Sequence, residues 1–143
     1  TSVAKYRSRV SGPLLDRIDM YVEVPALEYE ELKQKPKTES SAAIRQRVNN
    51  ARNLQRERYA GLKTDCNAYI SSRLLDTCCA LDSACETLMK NAFEKLGLTA
   101  RSYDRIRRVA RTIADLDGGG AIAPAHLAEA IQYRTYDFKK EIG

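Results

Sequence analysis

The residues of this chain best suited to chemistry are arginines. Arg17 lies in the run Ser11-Gly12-Pro13-Leu14-Leu15-Asp16-Arg17-Ile18-Asp19, and Arg101, Arg105, Arg107, Arg108 and Arg111 fall together further along. A guanidinium is planar, permanently charged and offers paired donors, so it suits carboxylates and phosphates. Arg101, Arg105 and Arg108 share one face of any helix that carries them. Each group has two readings. Arg17 either pairs with Asp16 or Asp19 or reaches an anion on another molecule. The arginines of 101–111 either form a solvated basic face, or one of them, near a helix start whose N–H groups favour an anion, holds a phosphate.

The other reactive side chains point to less. His126 is the single histidine; it sits beside Leu127 and reads as a packed or hydrogen-bonded structural residue. Cys66, Cys78, Cys79 and Cys85 contain no CxxC and fit no zinc site, which implies reduced thiols, with Cys79 and Cys85 partly in the core. Asp115 and Asp117 precede three glycines, but the rest of a calcium loop is missing, so both read as surface residues at a helix end. The eight tyrosines form no stacking stripe of the kind single-strand binders use. No GxxxxGK[ST] phosphate loop occurs, nor an acidic strand end to hold Mg²⁺.

The elements that must position these residues form two parts. Residues 1–25 read as the end of an α/β unit: Gly12-Pro13 can open a short helix, and Met20, Val22 and Val24 alternate along a strand that Pro25 ends. One strand cannot satisfy its own backbone, so Met20–Val24 is expected to be disordered or to pair with a neighbouring copy. Residues 26–39, rich in Glu, Lys and Pro, read as a linker. Residues 40–137 read as a helical bundle, and 138–143 as a tail, with a polar run that frays from Tyr136 onward.

Within the bundle, Ser40 or Ser41 caps a helix whose inner face is Ile44, Val48 and Ala51, with Arg45, Arg47, Arg52, Arg56 and Arg58 on its other faces. A short helix is expected around Arg73–Cys79. Asp82 or Ser83 caps the next, with Cys85, Leu88, Met89, Ala92, Phe93 and Leu96 inward and Gly97 at its end. Thr99 caps a further helix with Tyr103, Ile106, Val109, Ala110 and Ile113 on one side, and Gly118-Gly119-Gly120 stops it. Pro124 opens the last helix, with Leu127, Ala130 and Ile131 inward.

A chain of 143 residues, 43% hydrophobic and 30% charged, is one domain's length and can bury a core. Its formal net charge of +5 favours acidic partners such as nucleotides or nucleic acid, or reflects only a surface rich in Lys and Arg. No run is apolar enough for a membrane span, and no signal peptide is present. Thr1 stands where an initiator Met would, so the chain reads as a piece of something longer.

The run Ser11–Asp19 closely resembles a motif of magnesium-chelatase-like AAA+ ATPases of the ComM/YifB type. Two further stretches resemble the same family, in its order and spacing: Leu98-Thr99-Ala100-Arg101-Ser102-Tyr103 continued by Val109–Asp117, and His126–Arg134. The resemblance covers nearly the whole chain. It implies a mainly α fold: an AAA+ C-terminal helical lid bundle, preceded by one short helix and a strand from the α/β ATPase core. It further implies that Arg17 is an arginine finger reaching the ATP of a neighbouring subunit. There a guanidinium offsets charge spread over the γ-phosphate and contributes roughly 10³–10⁵ in rate. Arg101 takes the sensor-2 position, touching ATP phosphates, with Arg105 and Arg108 as competing candidates.

The parent implied is a cytoplasmic homo-oligomeric ring, a hexamer, that hydrolyses ATP with Mg²⁺ and, in some members, acts on DNA as a helicase or branch-migration motor in competence. Porphyrin metallation belongs to a related multi-subunit enzyme. Without a phosphate loop this chain alone is expected to bind nucleotide weakly or not at all, and not to hydrolyse it. Two rivals remain: a free-standing basic helical module that grips nucleic acid through Arg45–Arg58 or Arg101–Arg111, and a scaffold for partner proteins with no nucleotide role.

Overall fold

In a computed structural model the chain is described at residues 14, 16–26, 29, 33 and 38–135. Among the described residues, five α-helices have defined bounds, in order: α1 Ser41–Arg58, α2 Ser72–Cys78, α3 Ser83–Leu96, α4 Ala100–Leu116 and α5 Pro124–Gln132, with a 3₁₀ turn, Asn67–Tyr69, between α1 and α2. The fold is mainly α, as expected. The opening at Ser11-Gly12-Pro13 and the tail from Tyr136 lie outside the described residues, as does most of the 26–39 linker.

The helix boundaries follow the local chemistry. The Ser40 hydroxyl accepts from the Ala43 N–H at 3.2 Å and starts α1. The Asp82 carboxylate does the same for Cys85 N–H at 2.8 Å ahead of α3, and Thr99 for Ser102 N–H at 3.2 Å ahead of α4. Gly97 ends α3 at φ 60°, a left-handed cap that a Cβ disfavours. Pro124 occupies the first turn of α5, where its missing N–H costs nothing.

α4 is the centre of the bundle. It packs against α1, α2, α5 and the 3₁₀ turn, while α3 packs on α5. Ser102, Ile106, Ala110 and Ala114 recur at helical spacing and are all buried; the two alanines let neighbouring helices approach. Leu75, Cys79, Met89 and Leu127 complete the centre of the core.

Three expectations are corrected. Ile44 and Val48 do not face inward with Ala51; they are 42% and 45% exposed. α1 is fastened through its C-terminal end, where Gln55, Arg58 and Tyr59 meet the 3₁₀ turn and α4, and its first turns have less to pack against. On α3, Phe93 and Leu96 are likewise exposed, because the buried stripe narrows to Cys85, Met89 and Ala92. Cys79 and Cys85 are wholly rather than partly buried, and all four cysteines are free thiols. Residues 20–26 carry no regular secondary structure, with Val22 and Val24 67% and 84% exposed. An extended segment needs neighbours to form a ladder, so a strand at Met20–Val24 depends on partners beyond the described residues.

Candidate functional site

The segment around Arg17 is anchored on both sides of that residue. Before it, the Asp16 carboxylate accepts from the Thr99 hydroxyl at 2.9 Å and the Ser102 hydroxyl at 2.8 Å, across the start of α4. Arg134, in the turn after α5, stands 3.6 Å from the same carboxylate and donates to Ser102 Oγ at 3.0 Å. After it, Arg134 donates to the Ile18 carbonyl and stacks 5.4 Å from the centre of the Tyr21 ring. Asp19 pairs with Arg105, and the Tyr21 N–H donates to the Tyr133 carbonyl at 2.8 Å. The Ser102 hydrogen bond holds the Asp16 carboxyl below its ordinary range, against some desolvation, with Thr99, Arg134 and Arg101 adding to the effect.

Arg17 itself pairs with neither Asp16 nor Asp19. Its N–H closes a turn to the Leu14 carbonyl at 3.0 Å, and its exposed side chain makes no hydrogen bond or ion pair among the described residues. Arg101 is exposed and likewise makes no hydrogen bond or ion pair among the described residues, although its charge is felt at Asp16. The two flank the Asp16 contact, one on each partner. The carboxylate found at the start of α4 is the protein's own Asp16, held there by the Thr99 and Ser102 hydroxyls.

The other arginines of α4 do not form a solvated face. Arg105 is tied to Asp19, and Arg108 donates to the Ile70 carbonyl at 3.1 Å. Arg107 is buried: it donates to the Leu75 carbonyl at 2.9 Å and the Cys79 carbonyl at 3.2 Å, and to Asp76 at 3.2 Å. A cation over the last carbonyls of α2 complements that helix's C-terminal dipole. Arg111 is buried beside Asp115.

With this geometry in hand, similarity to known proteins decides the family. The model for "Magnesium chelatase, subunit ChlI C-terminal" matches residues 38–134, which is the whole bundle from the α1 cap to the Arg134 turn. The chain belongs to this magnesium chelatase-like family. The companion model, "Magnesium chelatase, subunit ChlI", matches residues 1–32. The chain is 41% identical over 134 residues to Competence protein ComM of Haemophilus influenzae and 39% identical over 134 to the protein YifB of Escherichia coli, covering 93% of this chain in each case. It is 35% identical over 132 residues to Rv2897c of Mycobacterium tuberculosis. It spans 26% of the length of each of these relatives. Arg17 falls in the stretch matched by the companion model and Arg101 in that matched by the C-terminal one, so the Asp16 contact in this magnesium chelatase-like chain joins the two.

Asp115 corrects the sequence reading most sharply. It is not a surface residue but 1% exposed. Arg58 reaches it with both nitrogens, at 2.9 and 2.5 Å; Asn67 donates at 2.8 Å and Arg111 Nε at 3.2 Å. Burial pushes its carboxyl up, but the bonds from Arg58 and Asn67 and the charges of Arg111 and Arg58 outweigh this and leave it below the ordinary value. Arg58 is raised in turn, chiefly by its bond to Asp115. Asn67 also accepts from the Tyr59 hydroxyl at 2.7 Å. The network ties α1, the 3₁₀ turn and α4 together, and it is structural.

Asp117 is exposed, as expected, and pairs with His126 Nε2 at 3.0 Å. His126 Nδ1 accepts from the Ala123 N–H at 3.1 Å, so the histidine caps α5 and is the hydrogen-bonded structural residue expected. Among the described residues no group of His, Cys, Asp and Glu could hold a metal ion, and no helix is long and apolar enough to cross a membrane.

Proposed function

We propose that this chain is the lid and arginine-finger part of a magnesium chelatase-like AAA+ ATPase, completing ATP hydrolysis at the interface between subunits of a homo-oligomeric ring. The observation that carries the reading is the contrast among the arginines. Arg105, Arg107, Arg108 and Arg111 are all engaged within the bundle, while Arg17 and Arg101 stand exposed on either side of the Asp16 contact. An uncommitted guanidinium on an anchored backbone suits the negative charge of a triphosphate. Arg17 acts as the finger towards the neighbour's ATP, and Arg101 touches phosphates from the start of α4. ATP and Mg²⁺ would be bound in the full-length ATPase. The reading extends to a cytoplasmic ring that acts on DNA as a helicase or branch-migration motor; the relative's name, Competence protein ComM, supports a part in competence.

The test is steady-state hydrolysis and ATP affinity of the full-length ATPase. Arg17→Ala is expected to lower kcat by about 10³-fold or more while ATP still binds. An unchanged kcat would make the motif structural and remove the finger from the mechanism.

A further inference from the structure

The chain on both sides of Arg17 is held by residues from two neighbouring elements, the start of α4 and the turn after α5, and the side chain between them is free. Asp16 is bonded to Thr99 and Ser102 at the start of α4, and Arg134 reaches both its carboxylate and the Ile18 carbonyl. The Arg134 side chain is only 5% exposed, so it is fixed by its surroundings rather than free to wander. Tyr21 is tied to the Tyr133 carbonyl. Consecutive Cα atoms are about 3.8 Å apart, so pinning Asp16 and Ile18 leaves Arg17 little freedom except in its own side-chain torsions.

We infer that Asp16 is a positioning residue for Arg17: with Ser102 and Arg134 it locks the finger segment to the start of α4, so that finger and helical bundle travel as one body. This rests on the finger reading above. Asp16 touches no reacting atom; it removes conformations in which Arg17 points elsewhere. A misplacement of about 1 Å in a catalytic group can cost about 10²-fold in rate. The lock also places Arg101 on the same rigid unit as Arg17, so a displacement of the bundle felt through one arginine moves the other.

Four forms of the full-length ATPase test this: wild type, Arg17→Ala, Asp16→Ala and the double variant, each measured for kcat, ATP affinity and amide hydrogen exchange at Tyr21. Asp16→Ala is expected to lower kcat about 10²-fold with ATP affinity unchanged and to speed exchange at Tyr21, whose N–H the lock shelters. The double variant is expected to be no slower than Arg17→Ala, because Asp16 works through Arg17. If Arg17→Ala is slow but Asp16→Ala is not, or if the two losses multiply, the positioning role is overturned and the finger stands. If Arg17→Ala leaves kcat unchanged, the finger reading itself fails; unchanged exchange at Tyr21 in Asp16→Ala would separately show that the lock does not exist. Should Asp16→Ala melt below the assay temperature, Ser102→Ala takes its place. It removes one of the two hydroxyl contacts and is expected to show the same kcat loss without affinity loss in smaller measure, and full activity there overturns the role.

Discussion

At Asp115 a carboxylate sits almost wholly out of water between Arg58 and Arg111, with Asn67 completing its shell. Removing one partner of such a group strands the others. Asp115→Ala is therefore expected to destabilise the bundle by about 3–5 kcal/mol, read by denaturant unfolding. The pH dependence has a definite sign. The folded carboxyl lies below its ordinary value of 3.8, so its contribution is complete above that value and drains away as pH falls below it. Unfolding measured from pH 6 down to pH 2 is expected to show this loss in wild type and not in Asp115→Ala. The sequence could not display the network, because Arg58 and Asn67 lie 57 and 48 residues away from Asp115. A carboxylate before three glycines reads as a frayed end unless its distant partners are known. The weak signal available was the spacing Arg111–Asp115, one helical turn on the inner side of α4.

For the elements, punctuation was legible and facing was less so. Ser40, Asp82, Thr99 and Gly97 marked ends because caps act within three or four residues. Facing depends on what else is present, and so Ile44, Val48, Phe93 and Leu96 were misplaced. The arginines of α4 were the hardest case. A solvated face was one of two readings of their spacing, yet α4 is surrounded, and Arg107 serves the end of α2. The Gly118–Gly120 turn has a tighter constraint than stopping a helix. Gly119 has φ +93°, and a Cβ there would lie 3.3 Å from Leu54 Cδ1. Gly119→Ala is expected to destabilise by about 1–2 kcal/mol through left-handed strain alone, with the Leu54 contact adding to it. Gly120→Ala, at φ +86° with no atom within 4 Å, isolates the backbone part, and the difference between the two melting curves measures the Leu54 contact.

At the scale of the whole molecule, the net charge of +5 is not gathered into one basic grip among the described residues. Of the arginines between 101 and 111, only Arg101 is exposed; on α1 Arg47 and Arg52 are paired with Glu39 and Asp65, which leaves Arg45 and Arg56 exposed without an ion pair among the described residues. Few counterions would be released on meeting a phosphate backbone, so DNA binding by this chain alone is expected to be weak. The slope of log affinity against log salt is expected to be shallow, about −2 or less steep. A slope near −6 would restore the free-standing nucleic-acid module.

The two innermost thiols give the bundle a clock of its own. Cys79 and Cys85 have no exposed surface, and burial pushes both up to about 11, so neither attacks an alkylating reagent while the helices are closed. Cys66 and Cys78 are partly exposed and react from the folded state. In a timed labelling experiment the fast pair counts molecules, and the slow pair counts how often Cys79 beside α2 and Cys85 on α3 come open. Because the label is irreversible, rare openings accumulate into a signal, and the rate at Cys79 against that at Cys85 tells whether α2 and α3 open together or one before the other.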